Sequence, residues 1–153
     1  MKGIIEKALR TDLPDILSVQ KAAFAPIASL LNQTELQPMT QTLPQIEAEY
    51  DSWIFLKYTL DGRIVGSVRI YVDDRHNCHI GKLVVLPDHQ SKGIGKALMH
   101  AVHESCKDCH RFMLYISKDI PHIVCFYRKL GYKQIDSDTL DGVLMVFMER
   151  KSD

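Results

Sequence analysis

Leu83-Val84-Val85-Leu86-Pro87-Asp88-His89-Gln90-Ser91-Lys92-Gly93-Ile94-Gly95-Lys96-Ala97-Leu98 reads as a strand, a glycine-spaced loop and the opening of a helix. Val84, Val85 and Leu86 favour extended backbone. Pro87 has no N–H to give to a ladder and stops the strand. Gly93 and Gly95 let backbone amides turn inward with no Cβ in the way. Lys96, Ala97, Leu98 and Met99 favour helix. A loop of free amides running into a helix N-terminus binds anions, and a diphosphate is the expected guest.

Two common diphosphate loops do not fit. A Walker A loop needs a glycine where Gln90 stands and a Ser or Thr where Ala97 stands. A dinucleotide fingerprint needs a third glycine, and Leu98 occupies that place. The pattern Gln90-x-x-Gly93-x-Gly95, preceded by Leu83-x-Val85-x-Pro87, resembles the acyl-CoA loop of the GNAT superfamily of N-acyltransferases. An ordinary strand-to-helix turn with two glycines is the plain alternative.

Composition bounds the rest. A chain of 153 residues suits a single domain, expected over 1–153, with enough length to bury a sizeable core. Apolar residues make up 46%, which argues against disorder. Formal net charge is zero, so no global field draws nucleic acid or membrane, and neither partner is expected. Nothing in Met1–Leu13 reads as a signal peptide, because Glu6 and Lys7 interrupt the Ile4-Ile5 pair. The apolar run Leu144–Met148 is far short of a membrane span. A cytoplasmic protein is the default expectation.

Cys106-Lys107-Asp108-Cys109-His110 matches the C-x-x-C-H of haem attachment. With Cys78 or Cys125 it also resembles part of a zinc site. Haem attachment goes with export, and the motif falls where a helix should end. Reduced thiols that pack or face solvent are the expectation, and no metal is expected.

Periodicity places the other elements. Gly3–Leu9 alternates as a strand. Thr11 or Asp12 caps a helix that tolerates Pro14 in its first turn, with Leu13, Ile16, Leu17, Gln20 and Phe24 on one face. Ala25–Gln41, carrying Pro26 and Pro38, reads as irregular. Thr42-Leu43-Pro44-Gln45 is a capping box starting a short helix that buries Leu43, Ile46 and Tyr50. Trp53–Leu60 and Arg63–Val72 form a hairpin around Asp61-Gly62. Asp73–Asn77 turns into the central strand Cys78–Leu86. Gly95–Cys106 is a helix burying Leu98, Ala101, Val102 and Ser105. Arg111–Ser117 is a strand, Lys118–His122 a loop, and Ile123–Leu130 a helix ended by Gly131. Tyr132–Ile135 and Val143–Glu149 pair as a hairpin around Asp141-Gly142. The order predicts an α/β (α+β) fold: a mixed, mostly antiparallel sheet of about seven strands flanked by about four helices.

That order is also what the GNAT resemblance implies, so the likeness covers nearly the whole chain. In that family the central strand and the strand after the loop helix splay apart, and acyl-CoA enters the gap. The resemblance implies acetyl-CoA as co-substrate. It gives the main-chain amides of Gln90, Ser91, Lys92, Gly93, Ile94, Gly95 and Lys96 to the phosphates, with Ala97 in the first helical turn of the same site. Lys92 and Lys96 add charge. Leu83, Val84 and Val85 would pair through their backbone with the pantetheine, the Val85 N–H facing the thioester oxygen. Phe126-Tyr127-Arg128-Lys129-Leu130-Gly131-Tyr132 is similar to the Tyr-x-x-x-Gly-aromatic segment of many members, which makes Tyr127 the candidate general acid. The family's Asn about two turns before that Tyr is replaced, since Ile120 and Ile123 stand in this region.

For the base, many members use a Glu on the central strand; His79 stands at the corresponding place, and a neutral imidazole suits the task. Water chains are the alternative. His100 and His103 lie one helical turn apart and read as a solvated face. Acceptor contacts are sought in Glu35 and Tyr71. The expected partner is a small-molecule or peptide amine, with a homodimer possible by analogy. A non-catalytic acyl-CoA sensor and a structural subunit of an assembly remain alternatives on the same fold.

Overall fold

The computed structural model describes residues 3–33, 35–140 and 143–152. Its elements are β1 (Ile4–Lys7), α1 (Leu13–Leu30), α2 (Gln37–Thr40), α3 (Leu43–Tyr50), β2 (Ile54–Leu60), β3 (Arg63–Val72), β4 (Asn77–Val85), α4 (Ile94–Ser105), β5 (Arg111–Ser117), α5 (Pro121–Lys129), β6 (Lys133–Leu140) and β7 (Val143–Lys151). Short 3-10 turns cover Arg10–Asp12 and Pro87–His89. The strands make one seven-stranded sheet in the order β1-β2-β3-β4-β5-β7-β6. Among the described residues only β4 and β5 run parallel, joined by the crossover through α4.

One apolar cluster joins α1 and α3 to the sheet through Leu13, Ile16, Val19, Ala23, Ile46, Phe55 and Val84. A second joins Ile94, Leu98, Met99 and Val102 of α4 and Tyr127 of α5 to Val65, Ile80, Phe112 and Leu114. The helices thus form two layers around the sheet. Gly66 sets the closeness of α4: a Cβ there would meet Ile94 Cγ2, Leu98 Cδ1 and the Val84 carbonyl at 3.2 Å.

Several element boundaries differ from the sequence reading. α1 continues through Ala25 to Leu30 with Pro26 inside it. Proline removes one helical bond, yet Ala23 and Ala28 stay buried, so packing outweighs the local penalty. α5 starts at Pro121, inside the expected loop, because an N1 proline lacks only an N–H that the first turn leaves unpaired anyway. β6 runs on to Leu140, paired residue for residue with β7 after a bulge at Gln134/Asp136. The α3 capping box forms as read, Thr42 N–H donating to Gln45 Oε1 at 2.9 Å. Leu43, however, is exposed, because the first turn of α3 faces outward. Met99, rather than Ser105, completes the buried face of α4. The Asp141-Gly142 turn lies outside the described residues.

The feature that positions the site is where β4 and β5 part. They pair only from Asn77↔Arg111 to His79↔Met113. Beyond that, Leu114 to Ser117 pair with β7 alone, and the second half of β4 pairs with β3 alone. The sheet is therefore split at its centre.

Candidate active site

The loop after β4 is built to present amides. Ser91 (φ 62°) and Gly93 (φ 83°) both adopt left-handed backbone, which turns successive N–H groups toward one side. Gly93 caps α4 with no side chain covering the first turn. The first helical bond is Ala97 N–H to the Gly93 carbonyl at 2.9 Å. The amides of Ser91 through Lys96 thus stand ahead of the helical ladder, at the positive end of its dipole. Ser91, Gly93, Gly95 and Lys96 line a cavity of about 440 Å³ together with Leu83, Val84, Val85, Gln90 and Phe126. At Gly95 an added Cβ would find ordinary contact only, 3.6 Å from Phe126, on the side where the cavity opens.

The remaining loop residues take other places. Gln90 lines the cavity, but its side-chain amide donates to the Val85 carbonyl at 3.0 Å and ties the loop to the strand. Lys92 is exposed beside the loop. Ile94 is buried and packs under the loop. Ala97 is half-buried, its N–H already inside the helix.

The edge of β4 facing the gap follows from the ladder. Leu86 N–H donates to the Val65 carbonyl at 2.9 Å, so alternation points the backbone groups of Val85 and Leu83 away from β3. With β5 splayed off, those groups face the gap. A bulge precedes them: Ser67 pairs with Val84 and Arg69 with Gly81, leaving Lys82 and Leu83 opposite Val68. Lys82 takes a left-handed φ of 46° there.

In the gap itself, between Lys82 of β4 and Leu114 and Ile116 of β5, lies a second cavity of about 360 Å³, with Ile27, Leu31, Leu36 and Met145 around it. Phe24, Ile27, Leu83, Ile123 and Tyr127 line both cavities, so the two meet at Tyr127. Tyr127 is 6% exposed, edge-on to the rings of Phe126 and Tyr132. Burial alone pushes its hydroxyl pKa above the ordinary phenol value, so it stays protonated.

His79 lies outside both linings. Its ring stacks on Tyr71 at 4.3 Å, and its Nε2 is 2.8 Å from Asp73 Oδ2. That contact, with backbone donation from Asn77, holds the Asp73 carboxyl well below the usual carboxylate range. Tyr71 packs between His79 and Trp53, and Glu35 is exposed; neither lines the second cavity. Cys78, Cys106 and Cys109 are buried thiols and Cys125 is exposed, all unbridged.

Sequence reasoning missed a buried polar cluster behind the second cavity. Arg69, 3% exposed, donates to Gln20 Oε1 and lies over the Phe55 ring at 4.5 Å. Its Nη1 is 2.9 Å from Glu49 Oε2, a close ion contact not aligned as a hydrogen bond. Lys82 Nζ donates to Glu49 Oε1 at 3.1 Å and to Gln41 Oε1 at 3.3 Å. Burial, then the charge of Arg69, pulls the Lys82 pKa below its ordinary value, against the pull of Glu49. Burial likewise lowers Arg69 to about 10, which leaves it charged at neutral pH. A lysine between Gly81 and Leu83 and an arginine between Val68 and Ile70 were the only signals, charges set in apolar strands.

Comparison with known proteins agrees with this geometry. Residues 21–152 match the family described as the acetyltransferase (GNAT) domain. A mycothiol acetyltransferase of Pseudarthrobacter chlorophenolicus is 32% identical over 136 residues, 82% of this chain and 41% of that protein. The chain spans between 35% and 45% of the length of this and two other curated relatives it matches. Among solved structures, Ard1 from Thermoplasma volcanium superposes with a TM-score of 0.81 at 21% identity, covering 99% of each chain. The PaiA N-acetyltransferase from Thermoplasma acidophilum, solved with coenzyme A, gives 0.73 at 21% identity, again over 99% of each. No helix among the described residues is long and apolar enough to cross a membrane.

Proposed function

Because the chain belongs to the GNAT family of acetyltransferases, we propose that it moves an acetyl group from acetyl-CoA directly onto a primary amine of a small molecule or peptide. The observation that carries this reading is one continuous crevice. It starts at the uncapped amides of Ser91–Lys96 and runs into the second cavity, which occupies the gap between β4 and β5, with Tyr127 at the junction.

The chain fits coenzyme A chemically. Outward amides at a helix N-terminus suit a diphosphate. The edge of β4 offers the N–H groups of Leu83 and Val85 and the C=O of Leu83 to an extended, amide-bearing arm, while the Val85 C=O is held by Gln90. Acetyl-CoA supplies the activated acyl group as a thioester. No covalent enzyme intermediate is needed, since a held amine attacks the carbonyl itself.

In this reading the Val85 N–H faces the carbonyl oxygen as negative charge develops on it. The amine nitrogen forms the new C–N bond and the C–S bond breaks. Tyr127 hands its hydroxyl proton to the departing sulfur and regains one from the nitrogen, so the reaction ends with an amide and a thiol. An alkylammonium must shed a proton first, its pKa being about 10. His79, outside the cavity lining, receives it through water. The unbridged thiols suit a reducing compartment such as the cytoplasm.

The test is thiol release from acetyl-CoA across an amine panel, with calorimetric titration of coenzyme A beside it. Turnover with at least one amine supports the transferase. Coenzyme A binding with no turnover on any amine would replace it by a sensor, and no binding would remove both.

A further inference from the structure

The acceptor's class is written in the charge balance behind the second cavity, an argument that rests on the transferase reading above. The residues around that cavity are mostly apolar, among them Ile27, Leu31, Leu114 and Ile116. Lys82 is the one charged side chain in its lining among the described residues, and no carboxylate lines it. A cavity meant for a simple cationic amine would present a carboxylate; this one has a lysine in its wall, the ammonium held by Glu49 and Gln41 just behind.

Lys82 is not a solvated surface charge that wandered in. Its side chain is 18% exposed and sits at the β4 bulge in left-handed backbone, a conformation costly for a residue with a Cβ. The groups facing it are Glu49, Gln41 and the Arg69 guanidinium. Glu49 is shared, one oxygen toward Arg69 and the other toward Lys82. A buried arginine and a partly buried lysine therefore divide one carboxylate, and the cluster carries one unbalanced positive charge. Leaving a charge without a counter-ion in such surroundings is unfavourable. An anion entering from the cavity would complete the cluster.

Placement fixes the rest. Lys82 adjoins Leu83, which lines both cavities where they meet at Tyr127. An acceptor with its anionic end at Lys82 and its body against the apolar walls has its amine free to point at the junction. We propose that the acceptor is a small apolar primary amine bearing a carboxylate, and that Lys82 selects it by pairing with that carboxylate.

The experiment compares matched probes: L-leucine with isopentylamine, L-phenylalanine with phenethylamine, and 6-aminohexanoate with pentylamine. Thiol release gives kcat/KM for each, and calorimetry on the coenzyme A-loaded protein gives affinity without turnover. At least one carboxylated probe should exceed its plain partner by tenfold or more, chiefly through KM. In Lys82→Met that ratio should fall toward one, and Lys82→Arg should retain part of it. The wild-type ratios stand even if a variant fails to fold: plain amines used or bound as well as every carboxylated partner would overturn the proposal. Preferential binding of carboxylated probes with no thiol release would uphold the anion site and defeat the transferase reading. Thiol release with no preference would do the reverse.

Discussion

Replacing Tyr127 by Phe separates chemistry from architecture. The ring fills the junction of both cavities and belongs to the core around α4, so its apolar body must stay. Burial raises the hydroxyl pKa, and no charge or hydrogen bond figures among the causes of that rise. Removing such a group costs little, since no buried partner is orphaned. Stability should change by less than about 1 kcal/mol, or roughly 2–4 °C in Tm for a domain of this size. Coenzyme A affinity should hold within about twofold, because the proposed diphosphate donors lie in the loop at Ser91–Lys96. In the proposed mechanism Tyr127 alone gives the departing sulfur its proton at that junction. Losing a positioned acid slows turnover by roughly 10²–10⁴-fold, about 3–5 kcal/mol of barrier. Steady-state kinetics and calorimetry on the same preparation decide it. Equal losses in kcat and affinity would make Tyr127 a wall residue, and an unchanged kcat would remove it from the chemistry.

Three further outcomes follow from the same geometry. Gly95→Val puts a branched side chain where the loop cavity opens, so coenzyme A binding should fall at least tenfold while the melting temperature shifts by only a few degrees; calorimetry and a thermal melt measure both. Arg69→Met leaves Glu49 paired with Lys82 but orphans the buried Gln20 Oε1, and should cost about 2 kcal/mol in urea unfolding; a loss within error would show that the Arg69–Gln20 contact contributes nothing to the fold. Asp73→Asn probes the depressed carboxyl beside His79. A lowered folded pKa stabilises above the unfolded value of about 3.9, and that contribution fades as pH falls from there toward the folded pKa. The variant should thus be less stable than the parent at pH 7, with the gap narrowing below pH 4; a gap that widens in acid would refute the assignment.

Local chemistry made much of the fold legible. Pro87, Gly93 and the helix formers after Lys96 mark the strand, loop and helix without reference to anything distant. The Thr42–Gln45 box and the Asp61-Gly62 turn are equally self-contained, and both form. What stayed hidden depends on partners far along the chain. α1 runs through Pro26 because the sheet holds Ala23 and Ala28, which no local pattern shows. β6 carries the polar run Asp136–Thr139, which alternates with nothing and is a strand only because β7 pairs with it. At the site, glycines pointed to the loop, but the left-handed Ser91 had no signal in its residue type. Lys82, Glu49, Arg69 and Gln20 meet only once α1, α3, β3 and β4 are assembled.

The most direct measurement is a crystal structure of the acetyl-CoA complex. The account predicts diphosphate oxygens within hydrogen-bond distance of amides in Ser91–Lys96, and the thioester between the Val85 N–H and the Tyr127 hydroxyl. A diphosphate bound away from that loop, or β4 and β5 paired beyond His79 and Met113 so that no gap remains, would contradict it.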